Sequence, residues 1–220
     1  MTLRNLPKLA LLAATFASPL AAQTVKLAAV GDISCAPEDV NYNNGLGQNG
    51  FCQMKATSDL AVAGGFNAVM VLGDNQYEDA TLARYLASYD PTWGRVKSIT
   101  HPIVGNHEYL TPNAAGYYAY FGTAAGDPAK GYYSFELGAW HVIVLNSNCA
   151  EVGGCDPASP QYQWLIQDLA AHSNDCTLAA WHHPRFSSGA HGDDPITADF
   201  WNALYAARAD LILVGHDHEY

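Results

Sequence analysis

Val69-Met70-Val71-Leu72-Gly73-Asp74-Asn75-Gln76-Tyr77 is the stretch whose reading decides the fold of this chain. Ala68 to Leu72 is apolar without polar alternation, which suits a strand buried on both faces of an α/β sheet, where functional groups gather at the carboxyl ends of strands. Gly73 lets the backbone turn, so that Asp74 projects from the strand end. A carboxylate has two oxygens with which to bridge two cations, and a tyrosinate at Tyr77 is a hard anionic ligand suited to a trivalent metal. Taken alone, the stretch reads first as an acidic turn beside a half-buried tyrosine. The rest of the chain changes that reading.

The pattern recurs. Val25 to Val30 ends in Gly31-Asp32-Ile33-Ser34, and Ser98 to Val104, interrupted by Pro102, ends in Gly105-Asn106-His107-Glu108. Cys176 to Trp181 ends in His182-His183-Pro184, and Leu211 to Val214 ends in Gly215-His216-Asp217-His218. Between these strands, helical spacing predicts a helix over Cys52 to Ala63 with Met54, Leu60, Val62 and Ala63 toward a core, and a second over Thr81 to Tyr89 with Leu82, Tyr85, Leu86 and Tyr89 inward. Ser159 followed by Pro160 predicts an N-cap and first helical residue, and a further helix is expected over Pro195 to Ala207. Tyr132 to Leu137 and Trp140 to Asn146 read as a β-hairpin on which His141 is structural. Tyr109 to Lys130 reads as a surface excursion able to roof a site. His172, in the last turn of its helix, suits the helix dipole and carries no functional weight.

Strands that end on one edge of a sheet bring Asp32, Asp74, Asn106, His107, His182, His216 and His218 to one crevice. Carboxylates, an amide oxygen and imidazoles together are a donor set for two hard-to-borderline cations. Two cations about 3.5 Å apart hold a phosphate between them and generate a hydroxide at neutral pH.

Composition bounds the setting. The 220 residues suffice for a real core, and a hydrophobic fraction of 49% excludes a disordered chain. Arg4 and Lys8, the apolar run Leu9 to Ala17 and Pro19-Leu20-Ala21-Ala22 have the form of a secretory signal peptide over residues 1–22, leaving 23–220 as the catalytic domain. A secreted or periplasmic protein without stable membrane insertion after cleavage is expected. Without Arg4 and Lys8 the chain carries 8 basic against 21 acidic residues, a net charge of about −13 that argues against a nucleic-acid partner but not against a small phosphate substrate. All five cysteines lie beyond residue 22. Cys35 with Cys52 and Cys149 with Cys155 would each close a loop and leave Cys176 odd, although Cys149 or Cys155 could pair with Cys176 instead.

Gly31-Asp32, Gly73-Asp74-Asn75-Gln76-Tyr77, Gly105-Asn106-His107-Glu108, His182-x-Pro184 and Gly215-His216-Asp217-His218 resemble the five blocks of the calcineurin-like metallophosphoesterases. Tyr77, three residues after Asp74, resembles the purple acid phosphatase branch, and Ser34, where most relatives carry a histidine ligand, fits that branch because Tyr77 fills the gap. The resemblance implies an α/β fold, an αββα four-layer sandwich of two mixed β-sheets. Relatives continue beyond the last block, so the C-terminal strands are expected to be missing here. It implies one metal site from Asp32, Asp74, Tyr77 and His218 for ferric iron, and a second from Asp74, Asn106, His182 and His216 for divalent iron, zinc or manganese. His107 and His191 are implied to contact the substrate or its leaving group. The implied activity is hydrolysis of small phosphomonoesters by a metal-bound hydroxide. A phosphodiesterase or nucleotide pyrophosphatase on the same metals and a secreted metal- or phosphate-binding protein are the alternatives.

Overall fold

Strand β2, Ala68–Leu72, is buried at every position, as its unbroken apolar run requires. It lies between β1, Leu27–Val30, and β3, Thr100–Ile103, in a three-stranded sheet that is parallel throughout. A second sheet, in the order β4-β5-β6-β7, consists of Tyr133–Leu137, Trp140–Val144, Cys176–Ala180 and Leu211–Leu213. The hairpin β4-β5 is antiparallel and the remaining pairs are parallel, so the mixed character belongs to this sheet. These elements belong to a computed structural model that describes residues 24–172 and 176–218; the expected signal peptide over residues 1–22 lies outside them.

Alternation along the strands builds the layers. Met70 and Leu72 of β2 pack with Ile103 against Val142, Val144, Leu178 and Ala180, which joins the two sheets face to face. Val69 and Val71 point the other way, into a cluster with Met54 and Ala61 of α1, Met54–Ala63, and with the aromatics Tyr85, Tyr89, Tyr117 and Phe121. On the far side, Ile143, Ala179 and Trp181 pack with Leu165 of α4, Pro160–Ala171, and with Phe200 and Leu204 of α5, Ala198–Ala206. The order helices, sheet, sheet, helices is the expected αββα sandwich.

Several local expectations need correction. In α1 Leu60 and Val62 are 73% and 50% exposed, while Met54, Ser58 and Ala61 face inward. Ser58 is tolerated there because its hydroxyl accepts from Arg95 Nη2 at 2.6 Å and donates to the Lys55 carbonyl. The expected helix over Thr81 to Tyr89 is one α-turn, α2 at Leu82–Arg84, followed by a π-helical turn at Tyr85–Tyr89. The wider turn buries Tyr85 and Tyr89 together and leaves Leu82 and Leu86 exposed. Residues 109–130 are not a surface roof: α3, Ala115–Phe121, carries Tyr117, Tyr118, Tyr120 and Phe121 into the core, with the Tyr85 and Tyr120 rings stacked at 4.8 Å. The third strand is shorter than expected, since a 3-10 helix occupies Trp93–Ile99, and a 3-10 turn at Pro195–Thr197 precedes α5. The N-cap is as read: Ser159 Oγ accepts from the Tyr162 N–H.

The cysteine alternatives resolve into Cys35–Cys52 and Cys149–Cys155, with Cys176 free and exposed. The loops span 17 and 6 residues, for which chain-entropy arguments give about 3 and about 2 kcal/mol. Replacing Cys35 and Cys52 together by Ser should therefore lower the urea midpoint more than the same change at Cys149 and Cys155. Equal midpoints in wild type and the Cys35/Cys52 double variant would refute a stabilising cross-link.

Candidate metal centre

The strand ends converge because each departs from the sheet through a tight turn. Gly73 has φ +94°, and a Cβ there would lie 2.2 Å from His182 Nδ1; a Cβ on Gly105 would lie 2.2 Å from Asp74 Oδ1. Asp32, Asp74 and His216 themselves adopt φ of 59°, 44° and 75°. Such left-handed backbone at non-glycine residues costs about 1–3 kcal/mol each and is retained where the surroundings over-determine it. The hydrogen bonds from Asp32 N to the Gly73 carbonyl and from His216 N to Asp32 Oδ2 supply that constraint.

Two donor sets share one atom. Tyr77 Oη lies 2.9 Å from His218 Nε2, 3.2 Å from Asp32 Oδ1 and 3.4 Å from Asp74 Oδ2, and His218 Nε2 lies 3.5 Å from Asp32 Oδ1. His182 Nε2 lies 3.3 Å from the same Asp74 Oδ2, 3.0 Å from Asn106 Oδ1 and 3.2 Å from His216 Nδ1. Asp74 Oδ1 is engaged elsewhere, accepting from the His107 N–H at 3.0 Å. A single oxygen, Oδ2, thus faces both sets, rather than one oxygen facing each. His182 Nδ1 donates to the Leu72 carbonyl at 2.8 Å, which aims Nε2 at the site, an orientation characteristic of metal-ligating histidines.

The electrostatics suit cations. Burial penalises the His182 imidazolium, but its contact with Asp74 outweighs that penalty and holds its pKa above the ordinary value. Burial likewise works against the Asp74 carboxylate, and His182 together with the His107 N–H overrides it and holds the carboxyl low. Burial and the positive His182 push His216 down to about 4, and burial with His182 and His216 pushes His183 down to about 3. Burial, then Asp32 and Asp74, push the Tyr77 phenol far above its usual range, so that a cation is needed to make it a phenolate. The donor atoms, their spacing and their charge fit two metal ions.

The two expected substrate contacts lie at the rim. His107 Nδ1 contacts the Glu78 carbonyl, and Nε2 faces Asp74 Oδ2 at 3.9 Å. The His191 ring lies 4.2 Å from the His216 ring and, with Ala190, Asp217 and His218, lines a cavity of about 290 Å³.

A family model described as calcineurin-like phosphoesterase matches residues 25–220. The chain belongs to the calcineurin-like phosphoesterase family. It is 28% identical over 193 residues to purple acid phosphatase 18 of Arabidopsis thaliana, covering 80% of this chain and 42% of that protein. It is 25% identical over 219 residues to purple acid phosphatase 23 of the same plant, covering 89% of this chain and 47% of that protein. The structure of purple acid phosphatase PPD1 from yellow lupin (Lupinus luteus) seeds shares the fold, with TM-score 0.67 and 18% identity over 91% of this chain and 39% of that one. This chain therefore spans less than half the length of these relatives.

Four residues quoted in the strand-end blocks carry roles that the sequence reading did not assign. Glu108 is fully buried and accepts from Gly105 N at 2.7 Å, Asn75 N at 2.9 Å, Gln76 N at 3.4 Å and Tyr85 Oη at 3.2 Å, tying the β2 and β3 ends together. Asn75 donates to the Ile103 carbonyl, and Gln76 donates to the carbonyls of Ser34, Cys35 and Tyr77 while accepting from Tyr89 N. His183 exchanges hydrogen bonds with Ser147 and brings a third imidazole beside His182 and His216. The signal for Glu108 was its place between an apolar strand and a tyrosine-rich segment, where an acid needs dedicated donors.

Proposed function

We propose that this chain is a metal-dependent phosphoester hydrolase that acts on small phosphomonoesters through a dinuclear centre. The observation that carries this reading is Asp74 Oδ2 standing between two convergent donor sets. Asp32, Asp74, Tyr77 and His218 would hold ferric iron, and Asp74, Asn106, His182 and His216 divalent iron, zinc or manganese. Two cations held there would offset the charge of the phosphate oxygens and make a bound water nucleophilic at neutral pH.

The chain's own groups orient and protonate. With His107 Nδ1–H held on the Glu78 carbonyl, Nε2 is the nitrogen facing the site, and in the imidazolium form its proton is the one that passes to the leaving oxygen, leaving a neutral ring. His191, beside His216, contacts the substrate from the cavity it lines with His218. The two disulfides agree with an exported protein, and among the described residues no helix is long and apolar enough to cross a membrane.

The test is reconstitution of metal-stripped protein with iron, zinc or manganese and comparison of kcat/KM on p-nitrophenyl phosphate and bis(p-nitrophenyl) phosphate. Monoester turnover that exceeds diester turnover supports the proposal, and the reverse order identifies a phosphodiesterase. Metal uptake with no hydrolysis identifies a binding protein. Tyr77→Phe should abolish the visible tyrosinate-to-iron absorption while the second ion is retained. A band that persists in this variant would remove Tyr77 from the iron site.

A further inference from the structure

At the opposite edge of the second sheet, away from the carboxyl ends of its parallel strands, two local rules bring four chemistry-bearing side chains together. The β4-β5 register sets Glu136 directly across from His141. The last turn of α4 sets Asp168 and His172 four residues apart on one face, at i and i+4.

Their hydrogen bonds are asymmetric. His141 Nε2 lies 2.6 Å from Asp168 Oδ2, and Ser134 Oγ donates to Asp168 Oδ1 at 2.9 Å. His172 Nδ1 lies 2.9 Å from the Asp168 carbonyl. One residue thus engages the outer nitrogen of both imidazoles, through its side chain and its backbone. The inner nitrogens, His141 Nδ1 and His172 Nε2, lie 2.6 and 3.8 Å from Glu136 Oε1, and each of the three residues offers a ligand atom within 4.8 Å of those of the other two.

We propose that Glu136, His141 and His172 form a separate site for one zinc-like divalent cation, with Asp168 as the group that orients both imidazoles. Two imidazole nitrogens, a carboxylate oxygen and solvent make a borderline donor set suited to Zn²⁺, and a carboxylate or carbonyl behind each histidine is the arrangement that raises ligand basicity. The cation takes the place of the proton shared by Glu136 and His141, which leaves to solvent. His141 is buried, whereas Glu136 is 55% and His172 34% exposed on their side chains, so the ion has a path in from solvent. The two rings lie stacked with centroids 3.7 Å apart, so binding includes a tilt of His172, which stands at the C-cap of α4. This proposal is independent of the strand-end centre and of its chemistry.

The experiment is equilibrium dialysis against Zn²⁺ with metal analysis of wild type, His172→Gln and Glu136→Gln, each checked by circular dichroism. Each variant is expected to retain one equivalent fewer per chain than wild type, with phosphatase activity unchanged. Equal zinc content in all three overturns the site. A second reading needs no variant: in wild type at saturating Zn²⁺ the nitrogen-bound ring proton on His141 Nδ1 should vanish from the NMR spectrum. If both ring protons of His141 persist, the cluster is a protonated clamp and the proposal fails.

Discussion

Asp74→Asn is expected to lower phosphomonoester turnover by about 10⁴-fold or more, a loss of ~5.5 kcal/mol in transition-state stabilisation. The His107 N–H donates to Asp74 Oδ1, so an asparagine sets its amide oxygen there and its NH₂ group where Oδ2 stood. A donor would then face Tyr77 and His182 at the one atom that both donor sets share. Both ions, not one, should be lost, as read by metal analysis of the purified variant. Retention of two ions and near wild-type kcat would refute the bridging role. Because the exchange is nearly isosteric and the backbone at Asp74 is already left-handed, a conformation asparagine also adopts, the fold should survive.

Glu108→Ala should destabilise the metal-free protein by about 3–5 kcal/mol, because Gly105 N, Asn75 N and Tyr85 Oη lose their acceptor inside the core. Ion affinity should fall roughly 10–100-fold, the usual cost of losing a group that orients ligands. Glu108→Gln keeps the volume and one acceptor, and should fall between alanine and wild type. The pH dependence separates charge from packing. Burial, reinforced by Asp74, raises the Glu108 carboxyl from the usual 4.5 to about 7. The folded state then binds the proton more tightly than the unfolded one, so this group's contribution to stability falls as pH rises between about 4.5 and about 7. That slope should be smaller in Glu108→Gln. Urea unfolding of metal-free protein across this window is the measurement, and a wild-type midpoint for Glu108→Ala would show that Glu108 supports nothing.

The parts of the fold legible in the sequence were those governed by short-range rules. The unbroken run Ala68 to Leu72, the hairpin around Gly138-Ala139 and the Ser159-Pro160 cap each follow from a period or a cap, and each stands where it was read. The convergence of Asp32, Asp74, Asn106, His182, His216 and His218 was legible for a related reason: parallel strands in one sandwich expose their carboxyl ends on one side, so residues that follow those strands must meet.

What escaped the reading depends on tertiary packing. Met54 faces the core as read, but Leu60, Val62 and Ala63 do not; Ser58 and Ala61 complete the inward face of α1, with Ser58 meeting Arg95. The segment around Tyr117 and Phe121 reads as a surface excursion; it is folded because Tyr85 and Tyr89 supply aromatic partners from elsewhere in the chain for Tyr120 and Phe121. A π-turn at Tyr85–Tyr89 has no simple periodic signature. Which oxygen of Asp74 faces the donors was equally hidden, because it is set by the N–H of a residue 33 positions away.

The measurement that tests the central claim most directly is anomalous scattering from crystals of the protein reconstituted with iron and manganese, collected at both absorption edges. The account predicts two peaks about 3.5 Å apart, one beside Tyr77 and His218, the other beside His182 and Asn106, with Asp74 Oδ2 between them. A single peak, or two peaks that do not share Asp74, would contradict it.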